Sequence, residues 1–318
     1  SCPSFQFMKN LKDYILTYLK GMSMGAADVV PGVSGGSIAL IAGIYERLLD
    51  SIKSVDKTAL GFLLKFEIKN LWNHIDASFL FTLLAGIMTS IFSLSKVITY
   101  LMDYHPIPLW SFFCGLIIIS AILILKDIQR WTFGVVLALI IGTVVAYWIT
   151  SLPPTTTPNT LWFTFVAGAI AICAMILPGI SGSFLLLVMG QYERIIGAVN
   201  EKDFLIIIVF GSGCLVGILA FSRVVSYLLK HYHAVTIGVL SGFMVGSLNK
   251  IWPWKEILSY QISAKGEQIP MITKNILPQN YLEASGQEPL VLYAILAFLF
   301  GILLVLGIER TAAYLQRG

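Results

Sequence analysis

Long apolar runs separated by short polar turns dominate the chain. A membrane-crossing helix needs about 20 mostly apolar residues. Six segments meet that length and predict spans over roughly 77–102, 107–125, 131–150, 204–229, 234–251 and 289–309. Two further apolar stretches, about 22–45 and 160–190, are interrupted by Pro-Gly-x-Ser-Gly. Irregular backbone at membrane depth survives only where protein or a water-filled cavity surrounds it. Both stretches therefore read as re-entrant hairpins or broken helices. Residues 53–75, with Lys53, Leu60, Leu63, Leu64, Phe66, Ile68, Leu71 and Trp72, predict an amphipathic helix at the membrane interface.

Composition turns this pattern into a solvent argument. Hydrophobic residues make up 57 % and charged residues 12 % of the 318 positions, about half the charge of a typical soluble domain; mean hydropathy is +0.83. One water-soluble core could not hide so much apolar surface, so the class is an all-α integral membrane protein. A cytosolic enzyme, a disordered chain and a secreted disulfide scaffold are excluded. The net charge of +4 is dispersed, without a basic block, and gives nucleic-acid binding no support. Cys114, Cys173 and Cys214 lie in apolar runs, and no CxxC or HExxH occurs, so neither a metal nor a disulfide is expected, nor any cofactor. Met8-Lys9-Asn10 reads as a natural start, and no cleavable signal peptide pattern precedes it.

Lysine and arginine set the orientation. Lys9, Lys12 and Lys20, then Arg47, Lys53, Lys57, Lys65 and Lys69, flank the first broken stretch and belong inside. Lys126 and Arg130 return inside, as do Lys230, Arg310 and Arg317. The turn at 103–106, the Pro/Thr linker 151–158 and the polar loop 252–288 fall outside. Both termini are then cytoplasmic.

The chain also repeats itself. Pro31-Gly32-Val33-Ser34-Gly35-Gly36 recurs as Pro178-Gly179-Ile180-Ser181-Gly182-Ser183, and Gly43-Ile44-Tyr45-Glu46-Arg47 as Gly190-Gln191-Tyr192-Glu193-Arg194, both at an offset of 147. Ser95-Lys96-Val97-Ile98-Thr99-Tyr100-Leu101 matches Ser222-Arg223-Val224-Val225-Ser226-Tyr227-Leu228 at an offset of 127, shared by Gly86/Gly213 and Gly115/Gly242. The halves are 8–150 and 160–310, joined near Pro153-Pro154. Each holds one broken hairpin and three spans. Three is odd, so the second half enters the membrane inverted. Inverted repeats with broken helices are a transporter architecture whose site lies at the repeat interface; a duplication retained only for packing is the alternative.

Candidate chemistry follows. After each Pro-Gly break a new half-helix begins, and its free N–H groups suit an anion. Ser34, Gly35, Gly36 and Ser37 in one tip, and Ser181, Gly182 and Ser183 in the other, are candidate substrate ligands; two packing kinks are the alternative. Lys96 and Arg223 are repeat-equivalent cations inside apolar segments, where charge is costly; gripping an anion and snorkelling to headgroups both fit. Arg47 and Arg194 follow the hairpins and suit a phosphate, with Glu46 and Glu193 balancing charge or carrying a proton; interfacial anchoring is the alternative. Asp28 faces Met175 in the repeat, so symmetry breaks there, and it is either a coupling site for a proton or sodium or a helix cap.

Gly25-Ala26-Ala27-Asp28-Val29-Val30-Pro31-Gly32-Val33-Ser34-Gly35-Gly36, Gly43-Ile44-Tyr45-Glu46-Arg47 and Pro178-Gly179-Ile180-Ser181-Gly182 resemble the bacterial polyprenyl-phosphate translocase family, essentially over 10–310. The resemblance implies transport of undecaprenyl phosphate from the outer to the inner leaflet of the bacterial cytoplasmic membrane, for reuse in cell-wall (peptidoglycan) synthesis. The partners it implies are the polyprenyl phosphate lipid and the bilayer. Ser183 for Gly36 and Met175 for Asp28 depart from an equal pair of tips. A secondary transporter of a small soluble anion is the main alternative. A lipid phosphatase lacks a histidine near either motif, and a scaffold leaves the repeated cations without a reason.

Overall fold

The structure is a computed structural model, and it describes residues 10–29, 34–155, 157–262 and 268–317. Pro31, Gly32 and Val33 of the first motif, and the start at Met8, lie outside the described residues. The chain is a mostly helical, multi-pass membrane protein. The first half runs α1 (Leu11–Asp28), α2 (Gly35–Ile41), α3 (Tyr45–Lys53), α4 (Lys57–Leu64), α5 (Ile68–His74), α6 (Ala77–Tyr104), α7 (Pro106–Lys126) and α8 (Phe133–Ser151). The second runs α9 (Leu161–Ile176), α10 (Gly182–Val188), α11 (Tyr192–Glu201), α12 (Phe204–His231) and α13 (His233–Ile251), then β1 (Lys255–Ile262), β2 (Gln268–Asn275), α14 (Pro278–Ser285) and α15 (Val291–Arg317).

Among the described residues, five helices are long and apolar enough to cross a membrane: the Ala77–Leu94 part of α6, and α7, α8, α12 and α13. They coincide with five of the six predicted spans. The sixth, 289–309, falls in α15, whose described apolar part is the shorter Val291–Gly307. Two details differ from the sequence reading. The stretch 53–75 is two short helices rather than one, because Phe66 turns the backbone left-handed (φ 56°) between α4 and α5. The polar loop 252–288 carries an antiparallel β1–β2 hairpin and α14, a departure from an all-helical chain.

The two broken stretches have the same local design. α1 and α9 each stop before the motif, and seven-residue α2 and α10 follow it. Both short helices end on a glycine in the left-handed region, Gly43 (φ 68°) and Gly190 (φ 64°). Both ends close alike: Gly43 N–H and Ile44 N–H donate to the Leu40 and Ala39 carbonyls, and Gly190 N–H and Gln191 N–H to the Leu187 and Leu186 carbonyls. Only glycine takes that φ without strain, which explains why Gly43 and Gly190 recur in register.

The described residues group into two compact units, one from 1–98 and 156–237, the other from 99–155 and 238–318. Each unit draws on both halves of the chain. In the first, α1 lies against α6 and α9 against α12; a Cβ on Gly21 would strike the Leu83 carbonyl, and one on Gly168 the Phe210 carbonyl. Gly86 meets the Tyr18 carbonyl, and Gly213 the Phe165 carbonyl. Offsets of 147 and 127 carry each contact onto its counterpart. In the second unit α7 lies against α15 and α8 against α13. Gly115 meets the Phe298 carbonyl as Gly242 meets Leu139, and Gly301 meets Phe112 as Gly142 meets Val239. Offsets of 127 for α7/α13 and 159 for α8/α15 carry these across as well. The second span of each half thus packs on the third span of the other. Between apolar helices in lipid, close backbone approach is a main source of attraction, and small residues permit it.

The second unit also holds a half-buried lysine outside the spans. Lys255 Nζ donates to the Lys250 carbonyl at the end of α13 and lies 5.0 Å from the Trp110 ring centroid. Burial, and after it the neighbouring Lys250 charge, pushes the Lys255 ammonium down to about 7.

Two predictions follow from this packing. Gly242→Ala, forced against backbone, is expected to destabilise the protein by about 1–3 kcal/mol. Gly61→Ala, with nothing within 4 Å, should be neutral or stabilising by under about 1 kcal/mol; thermal unfolding of detergent-purified protein reads both. For Lys255 the folded state binds its proton less tightly than the unfolded state. Its charge therefore penalises folding fully below about pH 7, and the penalty fades as pH rises toward the unfolded lysine value. Lys255→Met should gain most stability over wild type near pH 6.5, with the gap shrinking toward pH 10; a gap that does not change with pH would contradict this.

Candidate functional site

The site is built where the two broken elements meet. A helix that ends leaves carbonyls without intrahelical partners, and a helix that starts leaves N–H groups. At the end of α9 the Met175 carbonyl is such an orphan, and the Leu177 carbonyl just beyond it holds a long 3.5 Å bond from Ile180 N–H. The Ser34 hydroxyl reaches both, at 3.1 and 3.2 Å, while its oxygen accepts from Gly36 N–H at 3.1 Å as the cap of α2. In return Gly179 N–H donates to Ser37 Oγ at 2.8 Å. Ser34 and Ser37 are buried by this contact. Gly36 has no room for a side chain, since a Cβ there would stand 2.5 Å from the Ile176 carbonyl oxygen and 2.8 Å from that of Met175. The predicted ligands of the first tip therefore face the second break directly, with their hydroxyls engaged in joining the two.

The second tip is related but not equal. Ser181 Oγ lies 2.9 Å from Ser183 Oγ; Ser181 and Gly182 are buried, while Ser183 is exposed. Asp28 and Met175 occupy matching places. The Asp28 carboxylate lies over Gly35 and accepts its N–H at 2.7 Å, whereas the Met175 side chain lies over Gly182. Asp28 thus caps α2, and an apolar side chain stands where the repeat would put its twin.

The two motif arginines sit in the first turns of α3 and α11. Arg47 Nε donates to Asp76 Oδ2 at 2.7 Å, and its guanidinium carbon stands 4.4 Å from the Phe79 ring centroid. Its Nη2 is buried and has no hydrogen-bond partner among the described residues; the same holds for Nη1 of Arg194. A guanidinium carries five N–H donors in a rigid fork suited to an oxyanion. Each repeat-equivalent arginine therefore keeps a desolvated donor in reserve. Leaving such a donor unmet costs on the order of 1–3 kcal/mol or more.

The other expected residues scatter. Glu46 pairs with His233 Nε2 at 3.2 Å, both exposed, and Glu193 is exposed on α11. Arg223 donates to the Leu219 and Val55 carbonyls, so it ties α12 to the segment after α3. Lys96 is exposed on α6. Among the described residues neither Lys96 nor Arg223 contacts the tips. Two residues escaped the sequence reading. Asp76, 2 % exposed and with φ 49°, neutralises Arg47; the signal available was an acid placed immediately before an apolar span. Asp50, in α3, accepts from Ser226 Oγ at 2.7 Å and pairs with Lys230 at 2.8 Å, binding α3 to α12. No signal in the chain names that partnership.

Comparison with known proteins supplies the remaining finding. The VCA0040-like family, described as undecaprenyl phosphate translocase-like, matches residues 24–269. A protein named polyprenyl-phosphate transporter from Vibrio cholerae is 46 % identical over 300 residues, 94 % of this chain and 97 % of that one. A Staphylococcus aureus protein of the same name is 34 % identical over 256 residues, 75 % of this chain and 86 % of its own length. No solved structure matches. The chain belongs to the undecaprenyl phosphate translocase-like family.

The tip contact yields its own test. Gly36→Ala is expected to lower the unfolding temperature, at a cost of about 1–3 kcal/mol, because the added methyl meets backbone on the opposing break. Ser183→Ala, at the exposed site of the other tip, should leave it within about 0.5 kcal/mol of wild type.

Proposed function

We propose that this member of the undecaprenyl phosphate translocase-like family moves undecaprenyl phosphate from the outer to the inner leaflet of the bacterial cytoplasmic membrane, returning it to cell-wall synthesis. The reading makes the chain a transporter and not an enzyme. Its support from relatives is the name that two of them carry. The observation that carries it in this chain is the pair of repeat-equivalent arginines, each with a buried guanidinium nitrogen that has no hydrogen-bond partner among the described residues. A phosphate monoester offers oxygens to such donors, while a polyprenol tail needs only lipid.

The proposed mechanism is alternating access between inverted repeats. Four glycine-to-carbonyl contacts that recur in register, and the matching ends of α2 and α10, support two halves of one design. The contact of Ser34 and Ser37 with residues 175–179 acts as the barrier. The headgroup waits beside Arg47 or Arg194 and passes when the tips part, its oxygens replacing the bonds the tips give up. Ser34, Gly35, Gly36, Ser37, Ser181, Gly182 and Ser183 line that passage. Lys96 and Arg223 draw the anion from the two leaflets. Coupling to a proton or sodium ion runs through Asp28, Glu46 or Glu193.

Proteoliposomes containing purified protein and labelled undecaprenyl phosphate test the reading. Wild type should equilibrate the lipid between leaflets. Arg47→Ala and Arg194→Ala should each slow that step at least tenfold, which corresponds to ~1.4 kcal/mol, and Arg→Lys should fall between, since an ammonium lacks the fork. Unimpaired transport in both alanine variants would refute the role given to the arginines, and an inactive wild type would refute the function.

A further inference from the structure

Lys20, in the middle of α1, is a second cation beside Arg47. It is half-buried, and its ammonium donates to the Ala42 carbonyl at 2.8 Å, at the turn between α2 and α3. The Arg47 charge is close enough to repel it. The carboxylate of this neighbourhood is Asp76, already held by Arg47 Nε. Glu46 is turned to His233, and Asp50 to Ser226 and Lys230. Asp76 thus answers Arg47, Lys20 has a carbonyl for its partner, and Arg47 Nη2 is buried without a hydrogen-bond partner among the described residues. Withdrawing like charges together from water is unfavourable unless an anion joins them.

The charge count indicates which anion. A phosphate monoester carries about −1.5 to −2 at neutral pH, whereas a phosphodiester carries one charge. With Asp76 counted, Arg47 and Lys20 leave one net positive charge and two donor groups, the free edge of the guanidinium and the ammonium, and such a charge attracts a dianion about twice as strongly as a monoanion. The other half is built differently, because the position 147 residues after Lys20 is Ala167, wholly buried.

We propose that Lys20 and Arg47 form a binding site for the dianionic headgroup of a phosphate monoester, and that Lys20 makes the first-half end of the path selective for that charge state. This rests on the transport reading above and names a ligand that the repeat does not reveal.

Full-length protein in nanodiscs, titrated at pH 8 with farnesyl phosphate and with its methyl ester, tests the site. The first is a dianion and the second a monoanion with the same tail. Wild type should bind farnesyl phosphate more tightly. Lys20→Met should weaken farnesyl phosphate about tenfold and the methyl ester less than threefold, removing the preference. Lys20→Arg should keep the preference, and Lys12→Met, exposed on the same helix, should change neither. If Lys20 only braces the Ala42 carbonyl, Lys20→Met lowers the unfolding temperature and weakens both ligands equally, and the inference fails. It also fails if Lys20→Met binds both as wild type does. A wild type that binds neither probe overturns the transport reading instead. Inorganic phosphate displacing farnesyl phosphate at equal concentration overturns the lipid assignment while supporting the Lys20–Arg47 anion site.

Discussion

A helix broken within apolar surroundings exposes amides and carbonyls that hydrocarbon cannot satisfy, at several kcal/mol for each unmet group in lipid. The chain breaks twice and answers each break with the other. Ser34 serves the carbonyls at the end of α9, and Ser37 accepts from Gly179 N–H. Neither broken element is complete alone. This dependence accounts for Gly36, which must admit the Met175 and Ile176 carbonyls, and for burial of Ser34 and Ser37 despite their polarity. It also constrains any passage through the contact. Whatever parts the tips has to take over their hydrogen bonds. A phosphate headgroup can accept from those donors and a polyprenol tail cannot, so in the proposed mechanism the headgroup goes through the contact and the tail stays outside it.

The rest of the helical frame follows a similar economy of backbone. In lipid the hydrophobic effect does not drive helices together, so contact area and close approach must. Glycines placed against carbonyls meet that need at the α1–α6, α9–α12, α7–α15 and α8–α13 contacts. Because α7 packs on α15 and α13 on α8 in one unit, and α3 on α12 and α2 on α9 in the other, each compact unit contains helices from both halves. Sequence repeats and compact units therefore divide the chain differently: the first follows duplication, the second follows which faces are small enough to touch.

Features set by local chemistry were legible in the chain. Apolar length located the helices, and the doubled Pro-Gly-x-Ser-Gly located the breaks, because both depend on neighbours in sequence. The left-handed turn at Phe66 was not, since nothing marks a phenylalanine for positive φ. The β1–β2 hairpin was hidden in a loop whose alternation is short and mixed with charge. At the site, the motif arginines stood out by repetition. Asp76, the partner of Arg47, did not, since an ion pair 29 residues apart is decided by how α3 lies against the start of α6. Ser34 and Ser37 were legible as polar residues at a break, but that they would bond to the opposite break was not. Lys20 was read only as one of several cytoplasmic charges, because its counterpart is an alanine and repetition could not single it out.

The departures from symmetry are concentrated in charge. Backbone contacts recur in register, yet Asp28 faces Met175, Lys20 faces Ala167 and Asp50 faces Gly197. All three charges belong to the first half. In a carrier of the kind proposed, such asymmetry lets the two ends hold the same headgroup with different strength. It does not by itself set a direction. A difference in affinity between ends changes how full each is and how fast each releases. At equilibrium those effects cancel around the cycle, because a ligand shifts a two-state balance only by its differential affinity. Net movement toward one leaflet needs either consumption of the lipid there or a second ion bound unequally in the two states. In the proposed coupling, Asp28, Glu46 and Glu193 serve the second. Asp28 is the one of them bonded to a tip, through Gly35 N–H, so in that proposal a change in its charge acts on the first tip directly.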